Sequence, residues 1–283
     1  MKYSFILCTL NRPNELKKCI DSILNQSYKN YEIIIIDQSD KKNNYFLKYD
    51  ERIKYIYTKE RGLSHCRNIA ISMATGNYCC LMDDDAEYEK DTLYNINKNI
   101  NEKKLDVVSG VIIDKLTNEK WMKSMPNKEC KINKNNVFSC SSASLTIKTK
   151  LLKENLFDEQ LGAGKKWGCG EETDLLLRLL YKKKKIFYSP SIIIFHPKEP
   201  LTKINKEKIY KYNLGYGAYF YKHIKYYNNK KMILYFLKAI IKNIIGITVF
   251  FPSRIKRNYY KTCLIGKVKG YKEYKKEGIF IEK

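Results

Sequence analysis

The chain has 283 residues, 44% of them hydrophobic, which is enough for one large domain or for one domain with an extension. Its formal charge of +24 is uneven, because residues 201–283 carry 20 Lys and Arg against 4 Asp and Glu. The nine cysteines form no Cys-x-x-Cys pair or zinc-ligand spacing, which excludes a disulfide framework or zinc finger and favours a reducing compartment. The N-terminus becomes polar too soon for a signal peptide, so we expect a cytoplasmic protein.

The first hundred residues alternate between predicted strands and helices. Residues 3–8 form an apolar strand, and Pro13 is expected to begin an amphipathic helix. Strands at residues 32–36 and 53–57 follow, then a helix after Arg61-Gly62 and a strand at residues 78–82. Near-continuous apolar strands alternating with helices indicate a parallel sheet covered on both faces.

The pattern changes after residue 105. Residues 107–113 and 137–147 read as strands, and a segment with glycines at 162, 164, 168 and 170 leads into a helix that begins near Glu171. The last strand, at residues 192–195, ends at His196-Pro197. A shift in composition near residue 205 divides the chain into a predicted α/β domain, residues 1–205, and a basic, mainly helical extension, residues 206–283.

Three consecutive aspartates, Asp83 to Asp85, follow the apolar strand at residues 78–82. In open α/β folds, the carboxyl edge of the sheet is where ligands bind. Neighbouring carboxylates repel one another and need a cation, and Mg²⁺ or Mn²⁺ prefers such oxygen ligands together with phosphate oxygens. The cluster therefore predicts a metal–diphosphate site, with a solvated acidic turn as the simpler alternative.

Two further polar groups lie at the ends of predicted elements. His196 follows the last strand and is either a further metal ligand or a turn residue. The first turn of a predicted helix contains Glu171, Glu172 and Asp174. These residues are either favourable charges at the start of the helix or the source of a general base. The second role is favoured by the preceding glycine-rich loop, because such loops often close over ligands. Trp167 and Trp121 are candidates for stacking on a sugar, although packing is the commoner use of a large aromatic ring.

Taken in order, these motifs resemble the family 2 glycosyltransferases, which have the GT-A fold and use nucleotide-diphosphate sugars. The resemblance covers about residues 3–200 and is carried by the following pieces: Phe5 to Pro13, the strand ending at Asp37, Gly62 with Arg67-Asn68, Asp83 to Asp85, Phe157 to Glu159, Gly170 to Leu175 with Arg178, and His196-Pro197. It implies a Rossmann-like mixed sheet flanked by helices.

The resemblance also implies a role for each matching position. The nucleotide-sugar site would contain Thr9, Arg12, Asp37, Arg67, Asp83 and Asp84. Asp85 would be the metal ligand that bridges to the diphosphate, and His196 would complete the metal shell. Glu172 would be the general base, at a position where Asp is more usual, so Asp174 remains an alternative.

The implied reaction is an inverting, Mn²⁺- or Mg²⁺-dependent transfer of a sugar to a hydroxyl group of a glycan or lipid-linked acceptor in surface polysaccharide synthesis. A sugar-nucleotide nucleotidyltransferase is the first alternative, although no glycine-rich phosphate loop follows the first strand. A basic nucleic-acid-binding protein is the second, and it does not account for the ordered acidic motifs. We therefore expect no nucleic acid partner.

The basic extension contains an apolar stretch at residues 231–251 that is long enough to suggest a membrane span. Lys231, Lys238 and Lys242 are separated by seven and four residues, so they share one face of a helix. This pattern predicts a helix lying in the membrane surface, peripheral on the inner face of the cell membrane. A helix packed on the catalytic domain is the alternative.

Overall fold

A computed structural model of the protein describes residues 1–198 and 205–277, and these form two compact units. Unit 1 comprises Met1–Phe157 and Leu175–Lys198, and unit 2 comprises Asp158–Asp174 and the C-terminal part from Glu199 onward. The division predicted at residue 205/206 stays a prediction, since residues 199–204 beside it and residues 278–283 lie outside the described residues.

Unit 1 is built on a nine-stranded mixed sheet with the order β3-β2-β1-β4-β8-β6-β9-β5, in which β7 pairs with β9. The strands are β1 Tyr3–Thr9, β2 Tyr31–Asp37, β3 Ile53–Tyr57, β4 Tyr78–Asp83, β5 Glu87–Tyr88, β6 Val107–Ile113, β7 Cys130–Lys131, β8 Leu145–Lys148 and β9 Ile186–Phe195. The first four are parallel, and β8 runs antiparallel to both β4 and β6. Every residue of β1 and β2 is buried, as expected for strands covered on both faces.

The helices predicted from Pro13, after Gly62 and near Glu171 are present, and helices at residues 92–103 and 149–154 were not predicted. The helices are α1 Pro13–Leu24, α2 Leu63–Met73, α3 Thr92–Lys103, α4 Thr149–Glu154, α5 Glu171–Tyr181, α6 Lys206–Lys225, α7 Lys230–Val249 and α8 Arg254–Glu277. Pro13 begins α1 as predicted, and Leu16, Cys19, Ile20 and Ile23 form its buried face. Gly62 precedes α2 with φ of 136°, a conformation that favours glycine, and its N–H donates to Gln38 Oε1 at 2.9 Å.

The strand predicted at residues 137–147 is wrong for most of its length. Two short 3₁₀ turns, Val137–Ser139 and Ser142–Ser144, precede the strand Leu145–Lys148. Ser139 Oγ donates to the carbonyl of Asn136 at 2.7 Å, and Ser144 Oγ donates to that of Ser141 at 3.0 Å. These local hydrogen bonds compete with strand pairing and explain the turns.

Strand β9 begins six residues earlier than the predicted strand at residues 192–195. Its pairing with β6 shifts register between Ser109 and Val111, around an interruption that contains Pro190. A side chain at Gly110 would meet the backbone and side chain of Ile192, so the close approach of the two strands requires glycine there. The predicted end at Phe195 is confirmed.

Unit 2 consists of the segment Asp158–Asp174 together with α6, α7 and α8. Helices α6 and α8 approach closely, because Gly217 faces the backbone of Lys267 and Tyr271, and Gly270 faces that of Leu214. Within the segment, Trp167 is 1% exposed and packs edge-on against Tyr274 with ring centroids 5.4 Å apart. Trp167 therefore serves packing, which is the commoner of the two uses considered from the sequence.

Candidate functional site

The polar residues that end the central strands meet at one edge of the sheet in unit 1. Thr9 ends β1 and lies opposite Asp37, the last residue of β2. On the other side of β1, Cys8 lies opposite Asp83, the last residue of β4. Parallel pairing of these three strands therefore brings their carboxyl ends together, as the apolar runs followed by carboxylates predict.

The aspartate cluster is held together by contacts with β1 and the start of α1. Thr9 Oγ1 donates to Asp84 Oδ2 at 2.7 Å. Arg12 Nη1 lies 3.2 Å from Asp84 Oδ1 and 2.9 Å from Asp85 Oδ2. Burial, with the charges of Asp85 and Asp83, raises the pKa of Asp84 to about 6, although the contacts with Thr9 and Arg12 oppose this. Arg12 is thus a cation that compensates the clustered carboxylates.

Asp83 is paired with a cation from α2. Arg67 is 1% exposed, its Nη2 lies 3.1 Å from Asp83 Oδ1, and its guanidinium lies over the ring of Phe157. Ser142 Oγ is 3.5 Å from the same carboxylate oxygen. Arg67 is therefore a buried residue of the site rather than a solvated charge on a helix.

A cavity of about 500 Å³ lies beside Thr9 and Asp37. Its other lining residues are Asn11, Pro13, Leu16, Ser39, Asp40, Lys41, Lys42, Asn43 and Phe46. Asp37 is 2% exposed; its Oδ1 accepts from the N–H of Ser39 at 2.8 Å, and its Oδ2 accepts from the hydroxyl of Tyr55 at 2.6 Å. These contacts fix the direction of the carboxylate at the wall of a cavity large enough for a small molecule.

His196 follows β9 and faces the aspartate cluster. Its Nε2 lies 3.1 Å from Asp85 Oδ1 and 3.9 Å from Asp83 Oδ2, while Nδ1 lies 2.8 Å from the carbonyl oxygen of Pro197. Burial lowers the pKa of His196, but the hydrogen bond and charge of Asp85 outweigh this and raise it to about 8. For Asp85, burial acts to raise the pKa, and His196 and Arg12 hold it below its usual value.

The arrangement of His196 and Asp85 fits a divalent cation. A carbonyl oxygen accepts, so the Nδ1 contact places a ring proton on Nδ1 and aims Nε2 at Asp85. Without a metal, a proton on Nε2 accounts for the 3.1 Å contact with Asp85 Oδ1, and a divalent cation would replace that proton between the same two atoms. Within residues 1–198 and 205–277, no three His, Cys, Asp or Glu side chains form a ready-made metal cage. A cation held here would need phosphate oxygens as further ligands, which is the usual situation for Mg²⁺ in phosphate sites.

The two candidate bases belong to unit 2, in the first turn of α5. Asp174 is fully buried, and its Oδ1 lies 2.8 Å from Lys222 Nζ and 3.0 Å from His223 Nε2. Glu172 is partly exposed, and the Thr173 hydroxyl lies 3.4 Å from its Oε1. The two carboxylates therefore differ in environment, since Asp174 is fully buried against Lys222 and His223 whereas Glu172 is partly exposed.

Three residues of these environments were missed from the sequence: Tyr55, Lys222 and His223. Tyr55 lies in a predicted strand, and nothing in the pattern of apolar and polar residues of that strand distinguished it from its neighbours. Lys222 and His223 lie four residues after the buried Ala218 and Tyr219, so helical spacing alone would have placed them on the buried face of α6. That signal was masked by the many surface lysines of the extension.

Relatives in sequence are glycosyltransferases. A stretch of 114 residues is 36% identical to glycosyltransferase GlyA of Streptococcus pneumoniae, covering 38% of this chain and 16% of GlyA. A longer stretch of 230 residues is 27% identical to the GalNAc(5)-diNAcBac-PP-undecaprenol beta-1,3-glucosyltransferase of Campylobacter jejuni, covering 76% of this chain and 72% of that enzyme. The chain thus corresponds to only a small part of the length of GlyA.

Solved structures share the fold at low sequence identity. TarS residues 1–349 of S. aureus, in complex with UDP-GlcNAc, align at 16% identity with a TM-score of 0.58, covering 100% of this chain and 93% of TarS. The mannosyltransferase PcManGT of Pyrobaculum calidifontis, in complex with GDP-Man and Mn²⁺, aligns at 14% identity with a TM-score of 0.63, covering 95% and 86%. The predicted GT-A fold with a helical C-terminal region is confirmed.

The family match covers more than half of the chain. The family described as Glycosyl transferase family 2 matches residues 4–159, which include Thr9, Asp37, Arg67 and the aspartate cluster. The resemblance noted from the ordered motifs is therefore confirmed, and the chain belongs to glycosyl transferase family 2.

Proposed function

We propose that the protein is an inverting, metal-dependent glycosyltransferase that moves a sugar from a nucleotide-diphosphate sugar to a hydroxyl group of a glycan or lipid-linked acceptor in surface polysaccharide synthesis. The observation that carries this proposal is the polar edge of the sheet in unit 1. There Thr9, Arg12 and the aspartate cluster contact one another beside the cavity that Asp37 lines. The family membership of the chain supports the reaction class.

The donor nucleotide is proposed to occupy this cavity. Asp37 accepts two hydrogen bonds from the protein and, as an oriented carboxylate, suits an N–H of a nucleobase. Asp83, whose orientation Arg67 fixes, suits the hydroxyl groups of the ribose. Arg12 provides positive charge near the diphosphate, which would otherwise meet three carboxylates.

Asp85 and His196 would hold the divalent cation, Mn²⁺ or Mg²⁺. When bound, the cation would neutralise the negative charge that develops on the departing nucleoside diphosphate. The Pro197 carbonyl keeps the imidazole in the tautomer that presents Nε2. The Mn²⁺ complex of the similar mannosyltransferase supports the choice of metal.

Glu172 is proposed as the general base that takes the proton of the acceptor hydroxyl. The hydroxyl oxygen then forms a bond to the anomeric carbon as the bond from that carbon to the diphosphate breaks on the opposite face, so one displacement inverts the configuration. The burial of Asp174 against Lys222 supports the choice of Glu172, since a carboxylate paired with a buried ammonium group is a weaker base.

A matched pair of variants tests this assignment. Glu172→Gln keeps shape and removes basicity, so release of nucleoside diphosphate should fall by about 10²-fold or more. UDP-glucose, UDP-GlcNAc and GDP-mannose, each with Mn²⁺, are the donors to assay, and the affinity for UDP or GDP should be unchanged. If Asp174→Asn shows that pattern and Glu172→Gln does not, the base is Asp174. Retention of anomeric configuration in an NMR assay of the product would reject the inverting mechanism.

Helix α7 is proposed to attach the protein to the inner face of the cell membrane. By length and composition it could cross a membrane, with a mean hydropathy of 1.8 over its 18-residue window, of which 17% is buried. Leu234, Ile241 and Ile245 share one face and are each 53% exposed. Lys238, four residues after Leu234 and seven before Ile245, is exposed on that same face, and Lys242 is exposed at its border. Arg254 and Lys256 follow at the start of α8.

A surface orientation accommodates these charges better than a span. Each lysine at the centre of a bilayer costs at least about 2.5 kcal/mol. In a helix lying flat, the lysines reach the headgroups while the exposed Ile and Leu side chains enter the acyl boundary. Basic residues near an anionic leaflet each contribute about 1 kcal/mol. The acceptor of the similar Campylobacter enzyme is named as undecaprenol-linked, which supports a membrane-bound acceptor here.

A further inference from the structure

Unit 2 contains a buried cluster of four ionisable side chains. Lys222 Nζ lies 2.8 Å from Asp158 Oδ2 and 2.8 Å from Asp174 Oδ1, and His223 Nε2 lies 3.0 Å from Asp174 Oδ1. Lys222 is 2% exposed, and His223 and Asp174 are fully buried. The cluster therefore removes the Asp174 carboxylate, an ammonium group and an imidazole from water together, and the Asp158 side chain remains 18% exposed at its edge.

The cluster joins the two ends of one segment. Asp158 and Asp174 are the first and last residues of the part of unit 2 that precedes the C-terminal helices. Because Lys222 contacts both carboxylates, its ammonium group closes the segment into a loop and ties both ends to α6. Glu172 lies inside this loop, two residues before Asp174.

The backbone of the segment is seated against α6 by glycines. A side chain at Gly215 in α6 would lie 2.6 Å from the backbone nitrogen of Cys169, and one at Gly168 would lie 3.2 Å from the backbone of Lys211. Gly170 has φ of +96°, and a side chain there would lie 2.6 Å from the ring of Tyr219. Gly168 and Gly170 therefore allow the segment to pack closely on α6.

Stability alone does not account for the cluster. Replacing a buried ion-pair cluster by well-packed apolar side chains is often neutral or stabilising, because the charges must be desolvated. What the ionic cluster adds is direction, since each contact has a defined donor and acceptor. An ionised carboxylate can only accept hydrogen bonds. Nε2 of His223 therefore carries a hydrogen and donates it in the hydrogen bond to Asp174.

We propose that Lys222 and His223 are positioning residues that hold the loop 158–174, and with it Glu172, in the orientation required for catalysis. They act through Asp158 and Asp174 and have no contact with substrate in this proposal. The proposal rests on the role of Glu172 given above. It assigns to α6 a part in catalysis that is separate from membrane attachment, which involves the exposed face of α7.

The test compares variants of the full chain that differ in one contact. Lys222→Met removes the ammonium group, and His223→Leu removes the Nε2 donor, whereas His223→Gln keeps an N–H donor of similar reach. Lys225→Met, at an exposed position of the same helix, is the control. Lys222→Met and His223→Leu should lower kcat for nucleoside diphosphate release by at least about 10-fold. The Kd for UDP should stay within twofold of wild type, and His223→Gln should regain most of the rate.

A second measurement does not depend on activity. Hydrogen exchange of the amides in residues 158–174 should accelerate in Lys222→Met and His223→Leu but not in Lys225→Met. If Lys222→Met fails to fold, the His223 pair carries the test. Unchanged kcat in a folded His223→Leu variant, or equal losses in His223→Leu and His223→Gln, would overturn the proposal. If hydrogen exchange accelerates as expected but the wild-type protein releases no nucleoside diphosphate, the proposed function is wrong. In that case the conclusion that Lys222 and His223 hold the loop 158–174 still applies.

Discussion

Glu32 offers a test of what stabilises unit 1, at the edge of the sheet opposite the cavity proposed to bind the nucleotide. It lies near the start of β2, is 4% exposed, and its Oε1 accepts from Ser4 Oγ at 2.7 Å and from the N–H and hydroxyl of Thr75 at 2.8 and 2.7 Å. Its Oε2 accepts from Lys54 Nζ at 2.8 Å. The carboxylate thus links β1, β2, β3 and the turn before β4.

Replacing this carboxylate should cost stability without affecting the nucleotide site. Glu32→Gln keeps one oxygen for Ser4 and Thr75 but turns an amide N–H₂ toward Lys54. Hydrogen bonds to charged groups contribute about 1.5–3 kcal/mol, and Lys54 is 44% exposed, which limits its share. We therefore expect a loss of about 2 kcal/mol in the free energy of unfolding at pH 7, with Kd for UDP unchanged.

The loss should depend on pH in a defined direction. Burial acts to raise the pKa of Glu32, but the hydrogen bonds from Lys54, Ser4 and Thr75 lower it from 4.5 to about 2. Because the folded state holds the ionised form, this contribution is complete above pH 4.5 and disappears as the pH falls toward 2. The difference between wild type and Glu32→Gln should therefore shrink below pH 4.5.

Urea denaturation followed by fluorescence measures both effects. Trp121 lies in unit 1 and Trp167 in unit 2, so a Trp167→Phe background reports unit 1 alone. Glu102→Gln, at an exposed position of α3, is the control and should stay within about 0.5 kcal/mol of the parent. A Glu32→Gln variant as stable as that control at pH 7, or a difference that is constant from pH 7 to pH 3, would refute this reasoning.

Two further predictions concern the metal and the membrane. Asp85→Asn should abolish sugar transfer and weaken binding of the nucleotide sugar in Mn²⁺, while the thermal unfolding temperature stays close to that of wild type. Full activity of the wild-type protein in excess chelator would contradict a metal requirement. Binding of the protein to liposomes that contain anionic lipid should weaken with added salt and should fall further in the double variant Lys238→Glu/Lys242→Glu. If the membrane-bound protein resists extraction by high salt and alkaline carbonate, α7 spans the membrane instead.

The meeting of polar residues at one edge of the sheet was predictable because its signal is local. Apolar runs that end at Thr9, Asp37 and Asp83 define parallel strands, and parallel strands place their carboxyl ends together. His196 was predictable for the same reason, as the residue that follows the last strand. The 3₁₀ turns within residues 137–144 were not predicted. They are formed by hydrogen bonds from serine hydroxyls to nearby backbone carbonyls, whereas the neighbouring apolar residues suggested a strand.

The surroundings of Asp174 were not predictable, because its partners are distant in sequence. His223 lies 49 residues after Asp174, and Lys222 lies 64 residues after Asp158. No periodicity within either stretch encodes that pairing, and the basic composition of the extension hides two buried basic side chains among many exposed ones. Gly168 and Gly170 were noted from the sequence, but their close packing on α6 depends on residues of that helix.

The discontinuity of unit 2 has a consequence for synthesis of the chain. Every strand that the structure describes ends by Phe195, so the sheet and the cavity proposed for the nucleotide can form once residue 198 has left the ribosome. Segment 158–174 emerges earlier but gains Lys222 and the partners in α8 only later. At ordinary translation rates the roughly 80 residues that follow take on the order of 4 to 16 s. We therefore expect a nascent intermediate that binds nucleotide before its proposed base acquires its surroundings.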